Sequence, residues 1–143
     1  MSYEAWGDND EPSKFDAAIE AGWIDPVDQT KALIDVMNER DRQHNEEGWT
    51  PEHDDKYVAG ELVAAATCYA VVVAHTRHHV LRGKINADPI LYQTLSPPEL
   101  WPFDRMWWKP KDERRDLVRA AALLLAEIER IDRAKAAASE GAA

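Results

Sequence analysis

Apolar side chains recur at intervals of three and four residues along three stretches of the chain, which is the period of an amphipathic α-helix. The positions expected to be buried are Leu33, Val36 and Met37; then Val58, Leu62, Ala65, Tyr69 and Val72; and finally Leu117, Ala121, Leu124, Ile128 and Ile131. The sequence therefore predicts an all-α fold, a small helical bundle of three long helices.

Capping residues and prolines set the bounds of these helices. Asp25-Pro26 and Thr50-Pro51 each combine a capping side chain with a proline suited to the first helical position. Gly48 marks the end of the first helix. The predicted helices run from Asp25 to about Asn45, from Thr50 to about Arg77, and from just after Pro110 to about Arg133.

The connection between the second and third helices, residues 83–108, is rich in tryptophan and proline. It holds five of the chain's twelve aromatic residues. A loop of this length in a compact domain is usually functional or folded over the core. We therefore expect a crossover loop that packs onto the bundle.

Charge is distributed unevenly. The chain has 27 acidic and 17 basic residues, a net charge of −10, and residues 1–30 hold eight acids against Lys14. We therefore predict an acidic N-terminal arm over residues 1–24, a helical domain over 25–133 and a flexible tail over 134–143. An acidic chain is poorly suited to general duplex nucleic acid binding, which depends on neutralising phosphates.

Targeting and redox signals are also informative. No apolar run approaches the roughly 20 residues that cross a bilayer, so no membrane partner is expected. The N-terminus lacks the features of a signal peptide, and Cys68 is the single cysteine. These features predict a cytoplasmic protein without internal disulfides.

Arginine and tryptophan side chains cluster near the ends of the predicted helices. Aromatic rings stack on bases, and guanidinium groups bind phosphates. The predicted ligand-binding residues are Arg40, Trp49, Asp54, Asp55, Trp108, Arg114 and Arg115. The tryptophans would stack, the arginines would hold phosphate, and either aspartate would accept from a base or sugar. The alternative is structural, with the arginines paired to nearby acids and the tryptophans packed in the core.

A second candidate site is carboxylate-rich. Glu61 lies near the apolar stripe of the second helix, and Glu113 and Asp116 form a Glu-x-x-Asp arrangement at the start of the third. Acids that lean inward from several helices can hold magnesium, which prefers oxygen ligands. In the structural alternative, these acids cap helices and pair with arginines.

The chain resembles a group of small phage and prophage proteins, over roughly residues 30–133. The motifs that carry this resemblance are Glu39-Arg-Asp-Arg-Gln43, Glu47-Gly-Trp-Thr50, Glu52-His-Asp-Asp55, Trp101-Pro-Phe-Asp104, Trp107-Trp-Lys-Pro110 and Arg114-Arg-Asp-Leu-Val118. If the chain is phage-encoded, its compartment is the host cytoplasm.

Two characterised families are similar at greater distance. Ryanodine-receptor repeat domains have the order of features that this sequence shows at Gly48-Trp49, Asp54-Asp55, Pro102-Phe103 and Arg114-Arg115. That similarity implies ligand binding. The MazG-like all-α pyrophosphohydrolases use helix-borne acids and magnesium. That similarity implies nucleoside triphosphate hydrolysis with Glu61, Glu113 and Asp116 as metal ligands.

These observations predict a phage-type accessory protein that binds a small anionic, nucleotide-like ligand without turnover and without a cofactor. One alternative is a magnesium-dependent nucleotide pyrophosphohydrolase. Another is an acidic protein-binding or inhibitory module, whose partner would be a host protein. The helical seams also permit a homo-oligomer.

Overall fold

The structure is a computed structural model that describes residue 17 and residues 20–22, 28–83 and 89–142. Within those residues the fold is all-α and contains no strand, and three of its helices are long. The helices are α1 (Lys31–Asn45), α2 (Pro51–Asp54), α3 (Glu61–Leu81), α4 (Pro89–Gln93) and α5 (Glu113–Ala142), with a 3-10 turn at Arg105–Trp107. The predicted fold class is confirmed.

The chain divides into two units, Met1–Leu33 and Ile34–Ala143. The predicted acidic arm lies mostly outside the described residues, and its boundary stays a prediction. None of the described helices has both the length and the apolar character needed to span a membrane.

Helix α1 ends at Asn45, as predicted. It begins at Lys31, where the Thr30 hydroxyl accepts a hydrogen bond from the backbone N–H of Leu33 at 3.2 Å. The predicted start at Asp25-Pro26 lies outside the described residues. The expected apolar stripe is wrong: Met37 is 54% exposed, and the buried residues of α1 are Glu39 and Gln43. Helix α1 is held by polar and charged side chains instead.

The predicted second helix is interrupted. Thr50 caps α2 by accepting from the N–H of His53, but α2 ends at Asp54 and α3 begins only at Glu61. Gly60 precedes α3 with φ at +82°, a conformation that glycine adopts without steric cost. Val58 therefore lies in the interruption and is 73% exposed, which corrects its predicted burial.

The core is the contact between α3 and α5. From α3 it takes Leu62, Ala65, Ala66, Cys68 and Tyr69, and from α5 it takes Ala120, Leu123 and Ala126. Alanines dominate this contact and allow close approach of the two helices. The predicted burial of Leu62, Ala65 and Tyr69 is confirmed.

Helix α5 presents a different face to the core from the one expected. The buried positions include Asp116, Ala120, Leu123 and Glu127, whereas the predicted seam of Leu117, Leu124, Ile128 and Ile131 is exposed. The helix also starts at Glu113 rather than directly after Pro110, and it continues through Ala142, beyond the predicted end at Arg133. Residues 134–142, predicted to be a flexible tail, are helical.

The crossover loop folds over the core where it is described. Trp108 is buried, stacks on Tyr69 with ring centroids 4.8 Å apart, and donates through Nε1 to the carbonyl oxygen of Leu95 at 2.8 Å. The hydroxyl of Tyr92 donates to Oδ2 of Asp116 at 2.6 Å. These contacts attach the loop to α3 and to α5.

Candidate functional site

An aromatic-walled cavity of about 320 Å³ lies beside the α3–α5 core. Its ring-bearing walls are Trp49, His53, Tyr57, Tyr69, Trp101, Phe103 and Trp107. Its charged and amide lining is Glu39, Arg42, Gln43, Glu47, Asp104, Lys109 and Arg119. We call this the aromatic cavity.

The turn after α1 positions the first wall. Gly48 has φ at +74°, and this turn allows the N–H of Trp49 to donate to the carbonyl oxygen of Gln43 at 2.9 Å. The Trp49 ring is parallel to that of His53, with centroids 6.2 Å apart and an interplanar angle of 1°. Trp49 remains half-buried, so part of its surface is open to a ligand.

A hydrogen-bonded row of side chains fixes the orientation of His53. Its Nδ1 lies 3.3 Å from Oδ1 of the buried Asp54, and its Nε2 lies 3.3 Å from the hydroxyl of Tyr57. Burial raises the pKa of Tyr57, and the charges of Asp54 and Glu61 raise it further. The Tyr57 phenol therefore stays protonated, and the hydrogen bonds at Nδ1 and Nε2 hold the imidazole ring from both sides.

The opposite wall comes from the crossover loop. Trp101 meets Tyr69 and Phe103 edge to face, with centroids 5.6 Å apart in both pairs. Trp101 Nε1 donates to the carbonyl oxygen of Asp104 at 3.1 Å. Trp107 lies more openly at the rim, with the Lys109 ammonium 5.7 Å from its ring centroid.

Polar groups at the base of the cavity are buried. Glu39 is 2% exposed and accepts from Arg42 Nε at 2.6 Å and from Arg115 Nη2 at 2.5 Å. Burial alone would raise the pKa of Glu39, but hydrogen bonds and charges from the two arginines outweigh it and lower the pKa below its ordinary value. Gln43 is also buried, and its Oε1 has no hydrogen-bond partner among the described residues. Buried acceptors of this kind normally have a donor.

Two cations beside the cavity retain binding capacity. Lys109 makes no ion pair with any described residue. Arg119 uses Nη1 for the carbonyl oxygen of Lys109 and for Asp116 at 3.1 Å. Its Nε and Nη2 form no hydrogen bond within the part of the chain that is described. Lys109 can therefore meet an anion with its charge unshared, whereas Arg119 offers Nε and Nη2 while its Nη1 stays paired with Asp116.

The predicted anion-binding arginines are occupied elsewhere. Arg40 pairs through Nη2 with Asp54 at 3.4 Å and through Nε with Glu129 at 3.2 Å. Arg114 pairs with Asp35 at 2.8 Å, and Arg115 pairs with Glu39. The prediction that these three arginines hold phosphate stays a prediction, and in the structure acids from neighbouring turns and helices already pair with each of them.

The remaining predicted ligand-binding residues are divided between the core and the surface. Of the seven, only Trp49 lines the aromatic cavity. Trp108 is a core residue, Asp54 is buried against His53 and Arg40, and Asp55 accepts from Arg133 at 2.7 Å. Ligand contacts at Trp108, Asp54 and Asp55 stay predictions, and in the structure these side chains are engaged by internal contacts.

The predicted magnesium ligands do not converge. Asp116 accepts from Tyr92, Arg119 and the N–H of Lys111, and Glu113 pairs with Arg77 at 2.8 Å. Glu61 has one buried carboxylate oxygen to which no described residue donates a hydrogen bond. Among the described residues, no three histidine, cysteine, aspartate or glutamate side chains form a group that could hold a metal ion.

A second, more polar cleft of about 400 Å³ lies near the start of α5. It is lined by Asp35, Asn38, Glu39, Arg42, Lys111, Asp112, Arg114, Arg115 and Val118. Glu39 and Arg42 line both cavities. We call this the polar cleft.

Two important cavity residues, Tyr57 and Arg119, were absent from the predicted site. Arg119 lies one helical turn after Arg115, but no local pattern shows that Arg119 lines the cavity while Arg115 does not. Tyr57 lies in the unexpected interruption between α2 and α3, so no helical pattern could place its ring in the cavity. Comparison with protein-family models, curated proteins and solved structures found no match to this chain.

Proposed function

We propose that the chain binds a small planar, anionic ligand of the nucleotide type in the aromatic cavity, without turning it over. The observation that carries the proposal is the ring-lined cavity itself, whose volume of about 320 Å³ lies at the small end of the usual range for ligand sites. Heterocyclic bases stack on exposed aromatic faces at about 1–3 kcal/mol per base. A single mononucleotide suits the cavity better than a dinucleotide.

Polar groups at the base and rim of the cavity support the same ligand class. Gln43 Oε1 would accept a hydrogen bond from an N–H of the base and would thereby gain a donor. Lys109 and the free side of Arg119 would contact the phosphate. The anion-binding role passes from the predicted arginines to these two cations.

Binding without turnover is proposed because two of the three acids that hydrolysis would use are committed to other contacts. Asp116 and Glu113 each neutralise an arginine, and both ring nitrogens of His53 have partners in Asp54 and Tyr57. An accessory role in the host cytoplasm is proposed as well, since that is what the resemblance of the sequence motifs to small phage and prophage proteins implies.

Calorimetric titration of the full chain with nucleosides and nucleoside mono-, di- and triphosphates, with and without magnesium, tests the proposal. At least one nucleotide should bind and quench tryptophan fluorescence. Its nucleoside should bind at least tenfold more weakly, because contacts to a charged group contribute about 1.5–3 kcal/mol. No heat and no quenching with any nucleotide would reject the proposal.

The charged rim provides a matched pair of variants. Lys109→Gln should weaken nucleotide binding about tenfold, the loss expected for one charge-assisted contact. Lys135→Gln removes an equivalent charge from the distal part of α5, which does not line the cavity, and should leave the affinity unchanged. Equal effects of the two substitutions would indicate general electrostatic attraction instead of a site at Lys109.

A further inference from the structure

The exposed apolar face of α5 is not explained by the aromatic cavity. Leu117, Ala121, Leu124, Ile128 and Ile131 follow one another at spacings of four, three, four and three. The four large side chains are 46%, 44%, 54% and 38% exposed, in chain order. We call these five residues the α5 seam. Contiguous apolar surface of this kind marks an interaction site on soluble proteins.

The α5 seam is separate from the surfaces already used by α5. The core face consists of Ala120, Leu123 and Ala126, and the cavity uses Arg119 and Leu123. With about 100° between successive residues, the seam lies on another side of the helix. A partner could therefore cover the seam while the core and the aromatic cavity remain intact.

The pattern of the seam indicates a second helix of the same kind as its partner. Alternating spacings of four and three, filled by leucine and isoleucine, form the repeat that packs in coiled coils. Ala121 supplies a small position near the middle, which permits close approach of a facing helix. A two-fold axis would let the same surface serve both chains.

Charge along α5 selects the orientation of that partner. Most charges of α5 are paired within the chain, but two exposed ones flank the seam on the same side of the helix: Arg114 near its start, which is 55% exposed and also pairs with Asp35, and Asp132 near its end. An antiparallel arrangement with Leu124 near Ala121 brings Arg114 of each copy close to Asp132 of the other. It also opposes the two helix dipoles, which a parallel arrangement would align.

We propose that two copies of this chain associate through the α5 seam as an antiparallel helix pair, with Leu124 of each copy packed near Ala121 of the other. The seam is then the buried centre of a symmetric dimer. This association does not depend on the ligand proposed above.

Sedimentation velocity over a wide concentration range tests the association. The full chain should reach twice its monomer mass, and the double substitution Leu124→Glu, Ile128→Glu should weaken association at least a hundredfold because it would bury two charges per chain. Leu81→Glu is the control, since Leu81 is 82% exposed at the end of α3 and outside the seam. Circular dichroism checks that both variants remain helical.

Each outcome bears on the proposal. A dimer that is lost with the double substitution and kept with Leu81→Glu supports it. A dimer that survives both variants would overturn it, because another surface would hold the chains together. A wild-type chain that stays monomeric would overturn it too, and would indicate that the partner of the seam is a different protein.

Cross-linking tests the orientation. In the antiparallel pair, the two copies of residue 124 lie near each other, whereas the two copies of residue 131 lie roughly 25 Å apart at 1.5 Å per residue. A short bifunctional thiol reagent should therefore join chains carrying Leu124→Cys and not chains carrying Ile131→Cys. Cys68 is buried and should not react. Efficient cross-linking through Ile131→Cys would contradict the antiparallel arrangement.

Discussion

Glu39 shows how a single buried carboxylate can organise a polar site. It receives hydrogen bonds from Arg42 on its own helix and from Arg115 at the start of α5. A buried charge is tolerated only when it is paired and hydrogen-bonded. Both conditions hold here, so Glu39 connects α1 to α5 where apolar packing does not.

The lowered pKa of Glu39 predicts a specific dependence of stability on pH. Because the folded state depresses this pKa, the ionised carboxylate stabilises the fold above its ordinary value near 4.5, and that contribution is lost as the pH falls through the folded pKa. Glu39→Gln should lower the free energy of unfolding by about 2 kcal/mol at neutral pH.

Urea unfolding of the wild type and Glu39→Gln between pH 7 and pH 3 checks this expectation. The difference between the two proteins should shrink at acid pH. Glu46→Gln is the control, since Glu46 is largely exposed and lies 4.0 Å from Arg42. A difference that stays constant down to pH 3 would contradict the role assigned to Glu39.

Trp49 is the predicted ligand-binding residue that lines the aromatic cavity, and substitutions test directly whether its ring stacks on the ligand. Trp49→Leu should weaken nucleotide binding about tenfold, because it removes a stacking surface with a contribution of about 1–3 kcal/mol. Trp49→Phe should restore most of the affinity. Calorimetric titration measures both, and a leucine variant that binds as tightly as the wild type would remove Trp49 from the site.

At the scale of elements, the interruption between α2 and α3, which ends at Gly60, places the ring of Tyr57 in the wall of the aromatic cavity. The φ of +82° at Gly60 would cost a residue other than glycine about 1–2 kcal/mol. A Cβ atom at this position would meet no atom within 4 Å. Gly60→Ala should therefore destabilise the protein by about that amount through backbone strain alone.

Thermal and urea unfolding test this substitution. Gly141→Ala is the matched control, because Gly141 is helical, has no positive φ and also has open space around its Cβ position. It should leave stability unchanged or raise it slightly. If Gly60→Ala behaved like Gly141→Ala, the left-handed turn would not be required for the fold.

Helical periodicity predicted the existence of the long helices better than their faces. On α5 the period fits two surfaces, one of leucine and isoleucine and one mainly of alanine. We assigned burial to the larger side chains, yet Ala120 and Ala126 form the contact with α3. Periodicity alone does not distinguish a small-residue face that allows close approach from a large-residue face, because both have spacings of three and four.

At the scale of the whole molecule, composition indicated the kind of site but not its members. The combination of tryptophans and cations predicted ring stacking and anion binding. Which arginines remain available depends on acids far away in sequence, as the pairing of Arg40 with Glu129 illustrates. Such pairs form only when the helices meet, so no local pattern distinguishes Arg40 from Arg119.

The position of the cavity in the chain predicts the effect of removing the acidic arm. Among the residues that the structure describes, those lining the cavity fall between Glu39 and Leu123, within the unit that begins at Ile34. A chain lacking residues 1–24 should therefore keep its helical content and its nucleotide affinity. Circular dichroism and calorimetric titration measure these properties, and a large loss of affinity in a folded truncated chain would show that the arm contributes to the site.

Glu39 and Arg42 form a common wall between the aromatic cavity and the polar cleft. An occupant of either space that altered the Glu39–Arg42 contact would also change the electrostatic potential in the other. By thermodynamic linkage, each occupant would then change the affinity of the other by the same factor. The affinity of the protein for one molecule would in this way depend on the concentration of the other, without any rearrangement of the helices.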